Sequence, residues 1–163
     1  MKRFTKNTIN TVAESALEKR STIIVEGGAG SGKTYFVKAL LTKKAKEPKI
    51  AIVDPDNEYN DMLGQINNIS LFNGSVLSKG PEKPSLTGYD LVVIDEAMKY
   101  EVSYLKYLQE HNTNIIAIFQ EVNQKELMIL GDYVSVSIKP NKMIVKEYQL
   151  IDGRYKSSVV SNI

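Results

Sequence analysis

The residues Gly27-Gly28-Ala29-Gly30-Ser31-Gly32-Lys33-Thr34 constrain this chain more than any others. They satisfy G-x-x-x-x-G-K-[ST] and stand between a β-branched run, Thr22 to Glu26, and helix formers from Lys33 to Thr42. That strand–loop–helix context is the one in which this spacing carries a mechanism. Glycines let the backbone wrap with its N–H groups turned inward, and the helix N-terminus adds positive partial charge. Lys33 supplies a cation for phosphate oxygens and Thr34 a hydroxyl for a magnesium ion. A glycine turn that merely preceded a helix would have no need of Lys followed by Thr. The spacing predicts a phosphate cradle over Gly27, Gly28, Ala29, Gly30, Ser31, Gly32, Lys33 and Thr34.

The rest of the chain alternates strand and helix. Thr22 to Glu26, Lys49 to Val53, Ile69 to Phe72, Tyr89 to Ile94 and Asn114 to Phe119 read as strands. Residues 1–20, Glu58 to Leu63, Ala97 to Glu110 and Val122 to Leu130 read as helices, and Gly74 to Gly88 as the longest loop. From Tyr133 the pattern becomes alternation, with Val134, Val136 and Ile138 on one side, then Met143 to Leu150 and a turn at Asp152-Gly153. This predicts β elements over 133–160 ending in a β-hairpin. The α/β order implies a mostly parallel sheet with helices on both faces. A length of 163 residues fits a single domain, 1–163. In such a sheet ligands bind beyond the carboxyl ends of the strands.

Composition removes several alternatives. No Cys and a lone His111 exclude disulfide frameworks and thiolate zinc sites. The longest uninterrupted apolar run is Ile115 to Phe119, far short of the roughly 20 residues of a spanning helix. The expectation is a chain without membrane insertion, in a reducing cytoplasm. Lys plus Arg number 21 against 19 Asp plus Glu, so any nucleic-acid footprint must be local.

Three strand ends carry the remaining chemistry. Leu91-Val92-Val93-Ile94-Asp95-Glu96 is an apolar strand closed by two carboxylates. Asp95 is placed to hold magnesium near the phosphates, and Glu96 to orient and polarise an attacking water. Gln120 follows the strand Asn114 to Phe119, and its amide can both donate to a γ-phosphate oxygen and accept from that water. Asp54, after Lys49 to Val53, and Glu58 are either members of the same constellation or a helix cap and a surface acid.

Taken in order, GGAGSGKT, IVDPDNEY, LVVIDEA and IIAIFQ resemble the FtsK/HerA group of P-loop motor ATPases, including filamentous-phage assembly ATPases. The resemblance spans Ile23 to Ile138 and implies a RecA-like core with a strand inserted between the Walker A and Walker B strands. Gln120 matches the sensor glutamine at the end of that strand, and Asp54, Pro55, Glu58 and Tyr59 match the family's DPxxEY stretch. It further implies ATP and Mg2+ as ligands, and Lys33, Glu96 and Gln120 as catalytic residues. Its members pump DNA through homo-oligomeric rings. The implied function is an ATP-driven DNA translocase or packaging motor, phage- or plasmid-encoded, cytoplasmic or virion-associated, docking on a phage or secretion complex.

Two other readings share these motifs: a superfamily-one helicase-like ATPase, and a nucleotide-dependent switch or assembly factor that hydrolyses slowly. The first needs two RecA-like units where this chain has one, and the second has no need of Glu96. Arg3, Arg20 and Arg154 are the only candidates for an arginine donated to a neighbour's site, with Arg154 ranked first. Lys38, Lys43, Lys44, Lys46 and Lys49 form a local basic excess, and Lys79 and Lys83 make the loop Gly74 to Gly88 a candidate DNA-tracking element.

Overall fold

A computed structural model describes residues 6–18, 21–43, 49–73 and 85–162. Eight strands form one sheet: β1 (Thr22–Gly27), β2 (Ile50–Asp54), β3 (Ile69–Asn73), β4 (Leu91–Ile94), β5 (Ile115–Phe119), β6 (Tyr133–Lys139), β7 (Lys142–Ile151) and β8 (Arg154–Asn162). Their order is β3-β2-β4-β5-β1-β6-β7-β8, parallel from β3 through β6 and antiparallel across β6, β7 and β8. Strand β5 lies between β1 and β4, pairing Ile116 with both Ile23 and Val93.

Continuous apolar runs build the central strands because both of their faces are covered. Ile23, Val25, Ile50, Ile52, Ile116 and Ile118 point to a face covered by α1 (Lys6–Val12), its continuation Ala13–Leu17, and α2 (Lys33–Lys43). Ile24, Ala51, Val53, Ile94 and Ala117 point to the other, covered by α3 (Val102–His111) and the short helical stretch Glu126–Leu130. In α2 the buried stripe is Phe36, Val37, Leu40 and Leu41. Each such side chain contributes roughly 1.5–3 kcal/mol on burial. The same spacing turns Tyr35, Lys38, Ala39 and Thr42 to the opposite side of the helix.

Four predicted elements differ from the structure, and each difference has a local cause. Within helix 1–20, of which residues 1–5 and 19–20 lie outside the described residues, the last turn, Ala13–Leu17, is widened, with Glu18 N donating to Ala13 O at 3.1 Å. The helix expected over Glu58 to Leu63 is a single tight turn, Asn60–Gly64, because the Asp54 carboxylate takes the backbone N–H groups of Glu58 and Tyr59, both at 2.9 Å. The helix expected over Ala97 to Glu110 is broken. Glu96 is left-handed (φ 52°), Ala97–Lys99 makes one short turn, Tyr100 and Glu101 are extended, and α3 begins at Val102. The helix expected over Val122 to Leu130 shrinks to Glu126–Leu130, since the Asn123 side chain accepts Lys125 N at 3.1 Å in a turn. At the C-terminus the hairpin is present as β7–β8, but β6 joins the parallel sheet beside β1.

Candidate active site

The parallel strands all run toward one edge, and the predicted site residues gather there. A cavity of about 560 Å³ is lined by Ala29, Gly30, Ser31, Gly32, Lys33, Thr34, Tyr35, Lys38, Glu58, Asp95, Glu96 and Gln120. Six of the eight predicted cradle residues face it directly. Gly27 and Gly28 stand behind it, and their carbonyls accept the Lys33 ammonium at 2.7 and 2.8 Å. Gly27 is required for packing: a Cβ there would lie 2.9 Å from the Ile138 carbonyl oxygen of β6. Gly30 and Gly32 have φ of 73° and 96°, the left-handed backbone that a tight loop needs and glycine adopts freely.

Asp95 ends β4 and is buried at 5% exposure. Burial pushes its carboxyl up to about 7, the Glu96 N–H donated to Oδ1 at 2.9 Å opposes this, and the nearby Glu58, Glu96 and Asp54 charges reinforce it. Carboxyl groups are thus crowded beside the cradle, and that crowding disfavours the charged form of Asp95. Glu96 follows in its left-handed conformation, which costs of order 1–3 kcal/mol for a non-glycine residue and is the kind of local strain found where side-chain direction matters.

Gln120 leaves β5 level with the end of β1, where Phe119 pairs with Glu26. The Glu26 carboxylate accepts Val122 N at 2.8 Å and so fixes the chain just beyond Gln120. Glu58 reaches the cavity from the segment after β2 and accepts the Thr34 hydroxyl at 2.7 Å. Asp54 does not line the cavity. It is fully buried, and its carboxylate holds the backbone of Glu58 and Tyr59. Of the two readings left open by the sequence, Asp54 holds the backbone of a turn without capping a helix, and Glu58 lines the cavity. The Glu26 tie had no sequence signal, since it depends on β5 pairing with β1; the Asp54–Glu58 spacing within DPDNE was the available signal for the other.

The donor set suits a divalent cation held jointly with phosphates. The Thr34 hydroxyl and the Asp95 carboxylate line the same cavity, with Glu58 and Glu96. Among the described residues no group of three acidic or histidine side chains forms a metal site by itself. A hydroxyl with one or two carboxylates suits magnesium, which completes its shell with phosphate and water. Also among the described residues, Ser31 Oγ is buried at this site without a hydrogen-bond partner.

The family model for the central domain of helicase HerA matches residues 13–156. This chain belongs to that family. HerA-family domains are P-loop motor ATPases, and this chain is accordingly a nucleotide-hydrolysing ATPase. Among solved structures it is similar to the flagellar accessory protein FlaH from Methanocaldococcus jannaschii, at 16% identity and a TM-score of 0.54 over 86% of this chain and 84% of that one. It is also similar to a KaiC-like protein from the archaeon Pyrococcus horikoshii, at 14% identity and a TM-score of 0.50 over 85% and 90% of the two chains. At these identities the likeness concerns the fold, which is RecA-like. No curated protein matches the chain. The strand order of this HerA-family chain contains the inserted strand expected from the sequence, β5 between β1 and β4, with Gln120 at its end.

The remaining sequence candidates are less gathered. Arg154 sits in the β7–β8 turn; β7 is antiparallel to β6, so that turn lies at the sheet edge opposite the cradle. Arg154 therefore enters no site of its own chain. Arg3 and Arg20 lie outside the described residues, as do Lys44, Lys46 and the loop 74–84 with Lys79 and Lys83. Lys38 is committed within the fold: it pairs with Asp61 at 2.9 Å and lies over the Tyr59 ring at 5.5 Å. Lys49 covers the Tyr89 ring at 4.8 Å. Among the described residues no helix is long and apolar enough to cross a membrane.

Proposed function

We propose that this chain is a magnesium-dependent ATPase that translocates or packages DNA, working as a homo-oligomeric ring. The observation that carries the reading is the convergence of Lys33, Thr34, Asp95, Glu96 and Gln120 on one cavity, with Gln120 delivered by the inserted strand. In this reading the cradle amides and Lys33 hold the triphosphate, and Thr34 with Asp95 hold the cation. Bound magnesium supplies charge neutralisation on the β- and γ-phosphate oxygens. Glu58 accepts the hydrogen bond of the Thr34 hydroxyl, which would leave the hydroxyl oxygen's lone pairs free to hold the cation. Glu96 orients the attacking water and accepts its proton on the carboxylate, and the Gln120 amide contacts the γ-phosphate and that water.

Membership of the HerA family supports a motor, and the resemblance to DNA-pumping relatives supports DNA as its track in a phage or plasmid setting, cytoplasmic or virion-associated. In a ring, Arg154 at the far edge of one subunit is a candidate to complete a neighbour's site. The test is magnesium-dependent ATP hydrolysis at low salt, with and without double- and single-stranded DNA, using Lys33→Ala to subtract contaminants. Stimulation by DNA is the expected result. Hydrolysis indifferent to DNA would refute the DNA reading, and nucleotide binding without turnover would favour a switch.

A further inference from the structure

Beyond β1 the sheet has two unlike faces. On one, Val134, Val136, Ile138, Met143 and Val145 are buried in the cluster that holds Ile9 and Val12 of α1. The other is largely polar: Ser135, Ser137 and Lys139 come from β6, Lys142 and Lys146 from β7, and Ser157 from β8. Ile144 and Val159 are its apolar members. Lys139 stands directly opposite Lys142, both exposed, and Lys146 stands opposite Ser135, four residues or roughly 14 Å farther along β7. Among the described residues none of these three lysines is in an ion pair. The Glu26 carboxylate, level with Ser137, is taken by Val122 N, and alternation along β7 turns Glu147 to the opposite face. Like charges directly opposite each other weaken a strand pair, and nothing within the fold offsets the Lys139–Lys142 repulsion.

We propose that this face binds the phosphate backbone of DNA, with Lys139, Lys142 and Lys146 as its cations and the serine hydroxyls between them as hydrogen-bond donors. The inference rests on DNA being the track of the motor. Lysine and serine side chains are standard partners of phosphate oxygens, and such contacts hold a strand without reading its sequence. None of these residues lines the nucleotide cavity, so the surface is separate from the site of hydrolysis. The two nonetheless adjoin, because Ile138, just before Lys139, pairs with Gly27 of the cradle. A strand held on this face therefore pulls on the part of the sheet that carries the phosphate loop.

The experiment measures binding of short double- and single-stranded DNA over a salt series, for the wild-type chain, for the triple variant Lys139→Gln, Lys142→Gln and Lys146→Gln, and for Lys156→Gln. Lys156 is exposed on the opposite face, level with Gln149. The triple variant is expected to weaken binding about tenfold or more at low salt and to make the slope of log affinity against log salt shallower by about 2–3, with Lys156→Gln leaving that slope unchanged. Its DNA-free ATP hydrolysis and its denaturant midpoint should match wild type. A wild-type slope in the triple variant, or an equal change per charge in Lys156→Gln, would overturn the proposal while leaving DNA as the track. Lost DNA-free hydrolysis at full stability would overturn it as well, by assigning the lysines to the nucleotide site. A wild-type chain that binds neither DNA at low salt would refute the underlying reading, and this surface with it.

Discussion

Replacing Asp95 by Asn should make the nucleotide-free protein more stable while removing its cation site. In the folded chain burial raises the Asp95 carboxyl from 3.8 to about 7. A group whose folded pKa is raised contributes stability that is complete below its unfolded value, near pH 4, and is lost as pH rises through the folded value. At about 1.4 kcal/mol per pH unit, that shift corresponds to a penalty on the order of 4 kcal/mol above pH 7. Asn keeps the oxygen that accepts the Glu96 N–H and removes the charge. With local relaxation absorbing part of the difference, Asp95→Asn should gain about 2–4 kcal/mol at pH 8, an upward Tm shift of roughly 5–10 °C. Urea unfolding at pH 8 and pH 5, with chelator and without nucleotide, measures this directly. The gain should shrink as pH falls toward about 4, and excess magnesium with ATP should stabilise wild type but not the variant. A variant equal to or weaker than wild type at pH 8 would refute the argument that an unneutralised carboxylate is held there.

Two further substitutions separate chemistry from support. Glu96→Gln should retain ATP binding and lose roughly 10²–10⁴-fold in turnover, the usual share of a positioned base, measured by single-turnover hydrolysis beside nucleotide affinity; unchanged turnover would remove Glu96 from the mechanism. Asp54→Ala, which leaves two N–H groups without their carboxylate, should lower stability by about 2–4 kcal/mol in denaturant unfolding. A loss of hydrolysis at full stability would instead give Asp54 a chemical part.

Where the placement of a candidate site residue depends on its neighbours in sequence, it is legible in the sequence. GGAGSGKT and LVVIDEA each carry strand, turn and chemical groups within eight residues, and the structure brings Lys33, Thr34, Asp95 and Glu96 to one cavity. The insertion of β5 between β1 and β4 also followed from the resemblance, because Gln120 marks the inserted strand. Helix boundaries near the site were not readable. Helical spacing through Ala97 to Glu110 is set by side chains that face the core, whereas the break at Glu96 to Glu101 lies in the backbone. The ties of Glu26 to Val122 and of Thr34 to Glu58 join residues 96 and 24 positions apart, and only tertiary pairing creates them. The place of β6 was hidden for a related reason. Alternation in Val134, Val136 and Ile138 identifies a strand with unequal faces but does not name its neighbour.

The segment after β2 is tied to the rest of the fold at three points. Asp54 clamps its start, Glu58 bonds Thr34, and three residues later Asp61 pairs with Lys38. The last two ties both end on α2, the helix that opens with Lys33 and Thr34. A substitution at Asp61 would therefore loosen the bracket that carries Glu58, and hydrolysis lost in such a variant would not by itself give Asp61 a chemical part.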